Sequence, residues 1–163
     1  MIRQYDVTII GGGMVGLSLA GLLSKNKQLC ITLIDVEQRP AFGPEDDISL
    51  RVSAISPGSV AILERINAWQ EIQSARVCPY RDMKVWDAGS SVDGPETLHF
   101  DSAEFALPQL GFIVENLLIE QALLNQVDRL GVALRYSSQI KTIKRCGSRF
   151  ELEFDTGEKL APD

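Results

Sequence analysis

The chain has 163 residues, 45% hydrophobic and 23% charged, the balance of an ordinary soluble globular protein with room for one domain. Its net charge of −6 comes with no basic cluster, which excludes nucleic acid as a main partner and simple electrostatic attachment to anionic lipid. No apolar run approaches the roughly 20 residues of a membrane span, and the first expected strand begins too near Met1 to leave room for a signal peptide.

In chain order, Tyr5–Ile10 is an apolar run expected to form a buried strand. Behind it comes Gly11-Gly12-Gly13-Met14-Val15-Gly16, which opens a helical pattern over Met14–Leu23. Gly11, Gly13 and Gly16 have the G-x-G-x-x-G spacing of a dinucleotide-binding turn. Gly11 allows the tight exit from the strand. Gly13 lets a pyrophosphate approach the backbone, and Gly16 lets the helix pack closely on the strand. The free N–H groups of the first helical turn, at Met14 and Val15, then face the phosphates. A second strand, Leu29–Ile34, ends at Asp35, 19 positions after Gly16. A carboxylate there accepts hydrogen bonds from a ribose hydroxyl.

Val36–Ser49 is rich in Pro, Gly and acids and reads as a long loop. Ser56 and Pro57 have the cap and first-turn chemistry of a helix start, with Val60, Ile62, Leu63 and Ile66 as its apolar face. Trp69 and Ile72 continue a short helical stretch. Tyr80–Trp86 and Thr97–Phe100 read as strands flanking a Gly/Ser/Pro turn region, and Leu110–Val114 as a third. A strong helix follows, with Asn116 as a cap, an apolar face from Leu118 to Leu130 and Gly131 as its stop. Val132–Tyr136, Ile140–Lys144 and Phe150–Phe154 read as strands. The pattern is βαβ, an excursion into antiparallel strands, then helix and strands again.

Cys30, Cys78 and Cys146 are odd in number, scattered and without C-x-x-C spacing, which fits reduced cytosolic thiols and neither disulfides nor a metal site. Cys30 is expected as a small buried strand residue. His99 is the only histidine, and a lone histidine without partners is a poor catalytic base. Trp86, Phe100, Phe105 and Phe112 have two readings: the lining of a ring pocket, or ordinary sheet core.

Gly-Gly-Gly-Met-Val-Gly at 11–16, Leu-Ile-Asp at 33–35, Leu-Arg-Val-Ser-Ala-Ile-Ser at 50–56 and Val-Glu-Asn at 114–116 with its Leu-rich helix follow one another in an order that resembles the flavin-dependent aromatic hydroxylases of ubiquinone biosynthesis. These are relatives of para-hydroxybenzoate hydroxylase. The resemblance covers about Tyr5 to Leu160. Within the family, Cys78-Pro79-Tyr80-Arg81, Val85-Trp86, Phe100-Asp101 and Leu107–Gly111 are most similar to the branch acting on 2-octaprenyl-3-methyl-6-methoxy-1,4-benzoquinol.

The resemblance implies an α/β fold: an FAD-binding Rossmann-like layer of the para-hydroxybenzoate hydroxylase type, with the start of an interleaved antiparallel substrate sheet. It assigns 1–76 and 113–163 to FAD binding and 77–112 to the first substrate-sheet strands. It implies FAD at Gly11, Gly13, Met14, Val15 and Gly16, with Asp35 on the adenosine ribose where the family more often has Glu. Arg51 would contact the cofactor; the other reading pairs it with Glu45, Asp46 or Asp47. Glu115 would approach the ribityl chain; the other reading makes it a helix-start carboxylate favoured by the dipole. NAD(P)H is the implied reductant, dioxygen the co-substrate and a prenylated quinol or phenol the ring hydroxylated. A ubiquinone-biosynthesis complex is the implied partner, and the implied place is the cytoplasm with peripheral contact to the inner membrane. The family's later G-A-D-G and G-D motifs are not in the sequence, so the chain reads as the N-terminal part of a longer enzyme, inactive alone. Two other functions stay open: a different FAD-dependent oxidoreductase, or a non-catalytic nucleotide-binding module.

Overall fold

The computed structural model describes residues 5–43, 45–147 and 149–160. Residues 1–4 and 161–163, at the outer ends of the two expected FAD-binding segments, lie outside the described residues.

Strand β1 (Val7–Ile10), helix α1 (Met14–Leu23) and strand β2 (Ile31–Ile34) form the expected βαβ unit, with Val7 paired to Ile31 and Ile10 to Ile34 in parallel. All four β2 residues are buried, as the central strand of a parallel sheet requires. The chain between β2 and the next strand has neither helix nor strand among its described residues. Strand β3 (Val52–Ile55) then occupies a segment that carried no strand expectation. Its residues alternate exposed and half-buried, too weak a pattern to read from sequence.

Helix α2 (Pro57–Arg65) starts where Ser56 and Pro57 indicate, with the Ser56 hydroxyl accepting from the Ser59 N–H. Leu63 and Ile66 are buried, whereas Ile62 points outward at 40% exposure, because its position falls off the narrow stripe that meets the core. Helix α3 (Trp69–Ala75) buries Trp69 and Ile72. The expected strand Tyr80–Trp86 is two strands, β4 (Cys78–Tyr80) and β5 (Asp82–Val85), broken at Arg81, and Trp86 lies beyond them. β5 pairs antiparallel with β6 (Leu98–Asp101), and both β3 and β4 pair antiparallel with β7 (Gly111–Glu115).

Helix α4 (Asn116–Arg129) follows β7 directly. Asn116 is its first residue and not its cap; Glu115 holds the cap position, and the Asn116 side chain accepts instead from the Ser53 hydroxyl. Gly131 ends the helix with a positive φ of 79°. Strand β8 (Ala133–Arg135) joins β2 in parallel, giving the order β1-β2-β8. Strands β9 (Ile140–Cys146), β10 (Arg149–Phe154) and β11 (Lys159–Leu160) make an antiparallel sheet.

The main core joins β1, β2 and β7 to the four helices through Leu17, Ala20, Leu33, Ile66, Ile72, Leu123 and their neighbours. A second, smaller cluster joins Tyr5 and Ile34 to Leu152, Phe154 and Leu160. The parallel sheet is thus covered on one side by helices and on the other by the β9–β10 hairpin. Cys30 is exposed, contrary to expectation, because β2 begins one residue later and the Cys30 N–H bonds the Asp6 carboxylate at the sheet's rim.

Candidate functional site

The Gly11–Gly16 turn lies at the carboxyl end of β1, beside the end of β2, where open parallel sheets bind ligands. Gly11 has φ +108°, a backbone state that side chains disfavour. A Cβ at Gly16 would stand 1.9 Å from the Gly11 carbonyl oxygen, so the turn folds back onto its own helix. At Gly13 the position is open; a Cβ there would meet only Glu120 Oε1, at 3.7 Å. Gly13 is also the N-cap of α1 and offers no side chain to the first-turn N–H groups, and no acid stands in that turn. Those donors, at Met14 and Val15 among others, face outward with the positive end of the helix dipole. Val15 is 84% exposed.

Asp35 sits across the turn. One carboxylate oxygen accepts from the Gly12 N–H and the other from the Glu37 N–H at 2.7 Å. The Asp35 backbone is pinned by Arg135 and Ser138. Each carboxylate oxygen keeps acceptor capacity for a further donor. Gly11 and Asp35 also border a cleft of about 410 Å³, completed by Ile10, Val36 and Ser138–Ile143. The sequence reading missed this wall. Its residues come just after β8, more than a hundred positions from the glycine turn, and the parallel pairing of β2 with β8 brings them together.

Arg51 precedes β3 with an exposed side chain, and its charge is felt at Glu120. Among the described residues its guanidinium makes no ion pair with Glu45, Asp46 or Asp47. Arg76 is the arginine that reaches that loop, bonding the Asp46 carbonyl at 3.1 Å.

Glu115 is buried. Its carboxylate accepts from Arg76 Nε at 2.5 Å, from Arg76 Nη2 at 3.2 Å and from the Ser49 N–H at 2.6 Å. The Arg76 guanidinium holds the Glu115 carboxyl below the usual glutamate range, against the opposing effect of burial. In this arrangement Glu115 clamps the β2–β3 loop to the start of α4. Arg76 was not singled out in the sequence, since nothing local marks it.

Two further groups border the turn. Tyr136, just after β8, lies under Gly12, whose absent Cβ would be 3.0 Å from Tyr136 Cε1. The Tyr136 hydroxyl is buried without a hydrogen-bond partner among the described residues, and burial together with Asp35 pushes its pKa up to about 12. Glu120, on α4, is half-buried; burial, then the charge of Asp35, raises its pKa above the ordinary value, and Arg51 opposes the shift.

His99 pairs with Asp82 at 3.1 Å on the exposed β5–β6 ribbon, away from the glycine turn. Trp86, Phe100 and Phe105 are exposed and are not sheet core; Phe112 alone packs inward, edge-on to Trp69 with ring centroids 4.9 Å apart. Two strands make too narrow a ribbon to bury the first three.

No protein-family model matches the chain. Among curated proteins it is 35% identical over 161 residues to 3-demethoxyubiquinol 3-hydroxylase of Escherichia coli (strain K12), covering 97% of this chain and 39% of that one. Along nearly all of its own length the chain is similar to the ubiquinone-biosynthesis hydroxylases. Others in this family are the mitochondrial ubiquinone biosynthesis monooxygenases COQ6 of Xenopus tropicalis, 39% identical over 142 residues, and of Homo sapiens, 34% identical over 141. These matches cover 83% of this chain and 29% of each of those proteins, so the chain spans well under half the length of these family members.

The fold is shared with solved monooxygenases. p-Nitrophenol 4-monooxygenase PnpA of Pseudomonas putida DLL-E4 superposes with a TM-score of 0.74 at 19% identity, over 99% of this chain and 40% of that one. PqsL of Pseudomonas aeruginosa, described as a probable FAD-dependent monooxygenase, gives 0.71 at 17%, over 98% and 41%. The expected α/β class, with a Rossmann-like layer and antiparallel strands inserted in it, is therefore correct. Among the described residues no helix is long and apolar enough to cross a membrane.

Proposed function

We propose that this chain carries the nucleotide-binding part of an FAD-dependent monooxygenase that hydroxylates the aromatic ring of a prenylated ubiquinone precursor, with NAD(P)H as reductant. The observation that carries the reading is the 35% identity to 3-demethoxyubiquinol 3-hydroxylase along 97% of the chain. The geometry of the glycine turn supports FAD as the cofactor. A diphosphate needs close backbone approach, unpaired N–H donors and a positive dipole end, and Gly13 and the start of α1 offer all of these. A ribose needs an acceptor, and Asp35 supplies one. Bound FAD would supply the redox and oxygen chemistry that no side chain can.

The chain's own residues then have separable roles. Gly11 and Gly16 shape the turn, Gly13 admits the diphosphate, and the Met14 and Val15 N–H groups bind it. Asp35 orients the ribose. Arg51 lends positive charge beside the turn. Glu115 acts through Arg76 and Ser49 by holding the β2–β3 loop, a positioning role that is favoured over a direct contact because three donors already occupy its carboxylate. Segments 1–76 and 113–163 belong to cofactor binding, and 77–112 begins the substrate sheet.

A prenylated quinol partitions into lipid. The reading therefore includes a cytoplasmic protein in peripheral contact with the inner membrane, working within a ubiquinone-biosynthesis complex. The test is to purify the full-length protein, since the activity is not expected of these 163 residues alone, record its flavin spectrum and supply NAD(P)H, dioxygen and a short-chain quinol analogue. Mass spectrometry should find the analogue heavier by one oxygen atom. A protein that binds no flavin, or that oxidises NAD(P)H without hydroxylating any quinol or phenol, would contradict the reading.

A further inference from the structure

An acid beside a diphosphate site is a misfit that calls for an explanation. Glu120 Oε1 stands 3.7 Å from the point where a Cβ on Gly13 would be, in the space a diphosphate would approach. An ionised carboxylate there would repel two phosphate charges at short range in a partly dry setting. Its surroundings offer little compensation. Asp35, from the end of β2, adds a second negative charge. Among the described residues Arg51, ahead of β3, is the one cation whose charge reaches it. Tyr136, after β8, keeps its proton and brings no charge of its own, while Arg39 and Asp128, whose charges act on that phenol, are paired to each other. No hydrogen bond or ion pair engages the Glu120 carboxyl among the described residues, so nothing holds it ionised in place.

We propose that Glu120 is a proton-carrying residue of the diphosphate site: a dinucleotide binds with Glu120 neutral, and filling the Gly11–Gly16 turn takes up one proton from solvent at that carboxyl. The proposal rests on the dinucleotide reading given above. The protonated carboxyl gains a donor, as the ionised form has none, and can then offer its O–H to a phosphate oxygen in place of a repulsive charge. The direction of its shift, upward under burial and Asp35, is the direction in which two more negative charges would push it. Binding that raises an acid's pKa is tighter at low pH. Affinity should fall by up to roughly tenfold per pH unit between the free and bound pKa values and level off outside that window.

The probe is ADP-ribose, a diphosphate diester with no titrating phosphate near neutrality, with adenosine as the ligand lacking the charge. Calorimetric titrations from about pH 5 to about pH 8, in buffers of different ionisation heat, read affinity and proton uptake together. The expected result is uptake approaching one proton with ADP-ribose and none with adenosine. Glu120→Gln, which mimics the neutral acid in shape, should abolish the uptake and flatten the pH profile at the tight, low-pH level. ADP-ribose binding with pH-independent affinity and no buffer-dependent heat would overturn the proposal alone. So would a Glu120→Gln protein that still takes up the proton. If neither ADP-ribose nor FAD binds the wild-type protein at any pH, the dinucleotide reading fails and takes this proposal with it.

Discussion

The missing side chain of Gly16 faces the carbonyl oxygen of Gly11 at a distance no Cβ could tolerate, 1.9 Å. The two glycines are therefore one device. Gly11 bends the chain out of β1, and Gly16 lets the helix close over that bend. Gly13 lies between them and obeys a different rule, since a Cβ there meets open space apart from Glu120. Gly16→Ala should then disrupt the turn itself. We expect destabilisation of about 1–3 kcal/mol, the range of overpacking, read as a lower denaturation midpoint. Gly13→Val should leave the midpoint nearly unchanged and abolish retention of flavin. Normal flavin content in the purified Gly13→Val protein would remove the diphosphate from this turn.

Asp35→Ala tests the ribose contact. The carboxylate already closes the turn through the Gly12 and Glu37 N–H groups, so the substitution loosens the backbone as well as removing an acceptor. Nucleotide affinity should drop by about 1–3 kcal/mol in a fluorescence titration of FAD. An unchanged dissociation constant would mean that the carboxylate serves the turn only.

Glu115 should confer a stability that depends on acid pH. Arg76 holds its folded pKa below the ordinary value of 4.5, so the folded state binds fewer protons than the unfolded chain in that range. The contribution is complete above about pH 4.5 and is lost as pH falls through the depressed folded value. Glu115→Ala removes three accepted hydrogen bonds and should cost about 1–3 kcal/mol at neutral pH. Its unfolding curves should converge on those of the wild type as the solution is acidified. Parallel curves down to the lowest accessible pH would show that the ion pair contributes nothing beyond packing.

Tyr136→Phe removes a hydroxyl that is buried and has no partner among the described residues. An unsatisfied polar group of this kind costs about 1–3 kcal/mol, so the substitution should be neutral or raise the thermal midpoint. The ring, which packs under Gly12, is retained. A clear loss of stability would reveal a hydrogen-bond partner for the phenol, such as a bound water.

The sequence alone determined the parts of this protein that depend on local rules. The G-x-G-x-x-G spacing, the apolar runs on either side of it and the acid after the second run located β1, α1, β2 and Asp35. Backbone strain at Gly11 and crowding at Gly16 are set by residues close in the chain. Ser56 and Pro57 likewise announced α2, because capping is satisfied within one helical turn. The tertiary structure decided what depends on distant partners. β3 has little burial pattern of its own and is a strand because β7 pairs with it. Asn116 left its expected capping role when Ser53, sixty-three positions earlier, came within reach of its side chain. Glu115 was legible as a helix-start acid, yet its partner Arg76 was not, since the pair spans thirty-nine positions and is made only when α3 delivers the arginine. Glu120 shows the difference most clearly. In sequence it is one more polar position on an amphipathic helix, and only the docking of α4 beside α1 puts its carboxyl against the glycine turn, where burial and Asp35 change its chemistry.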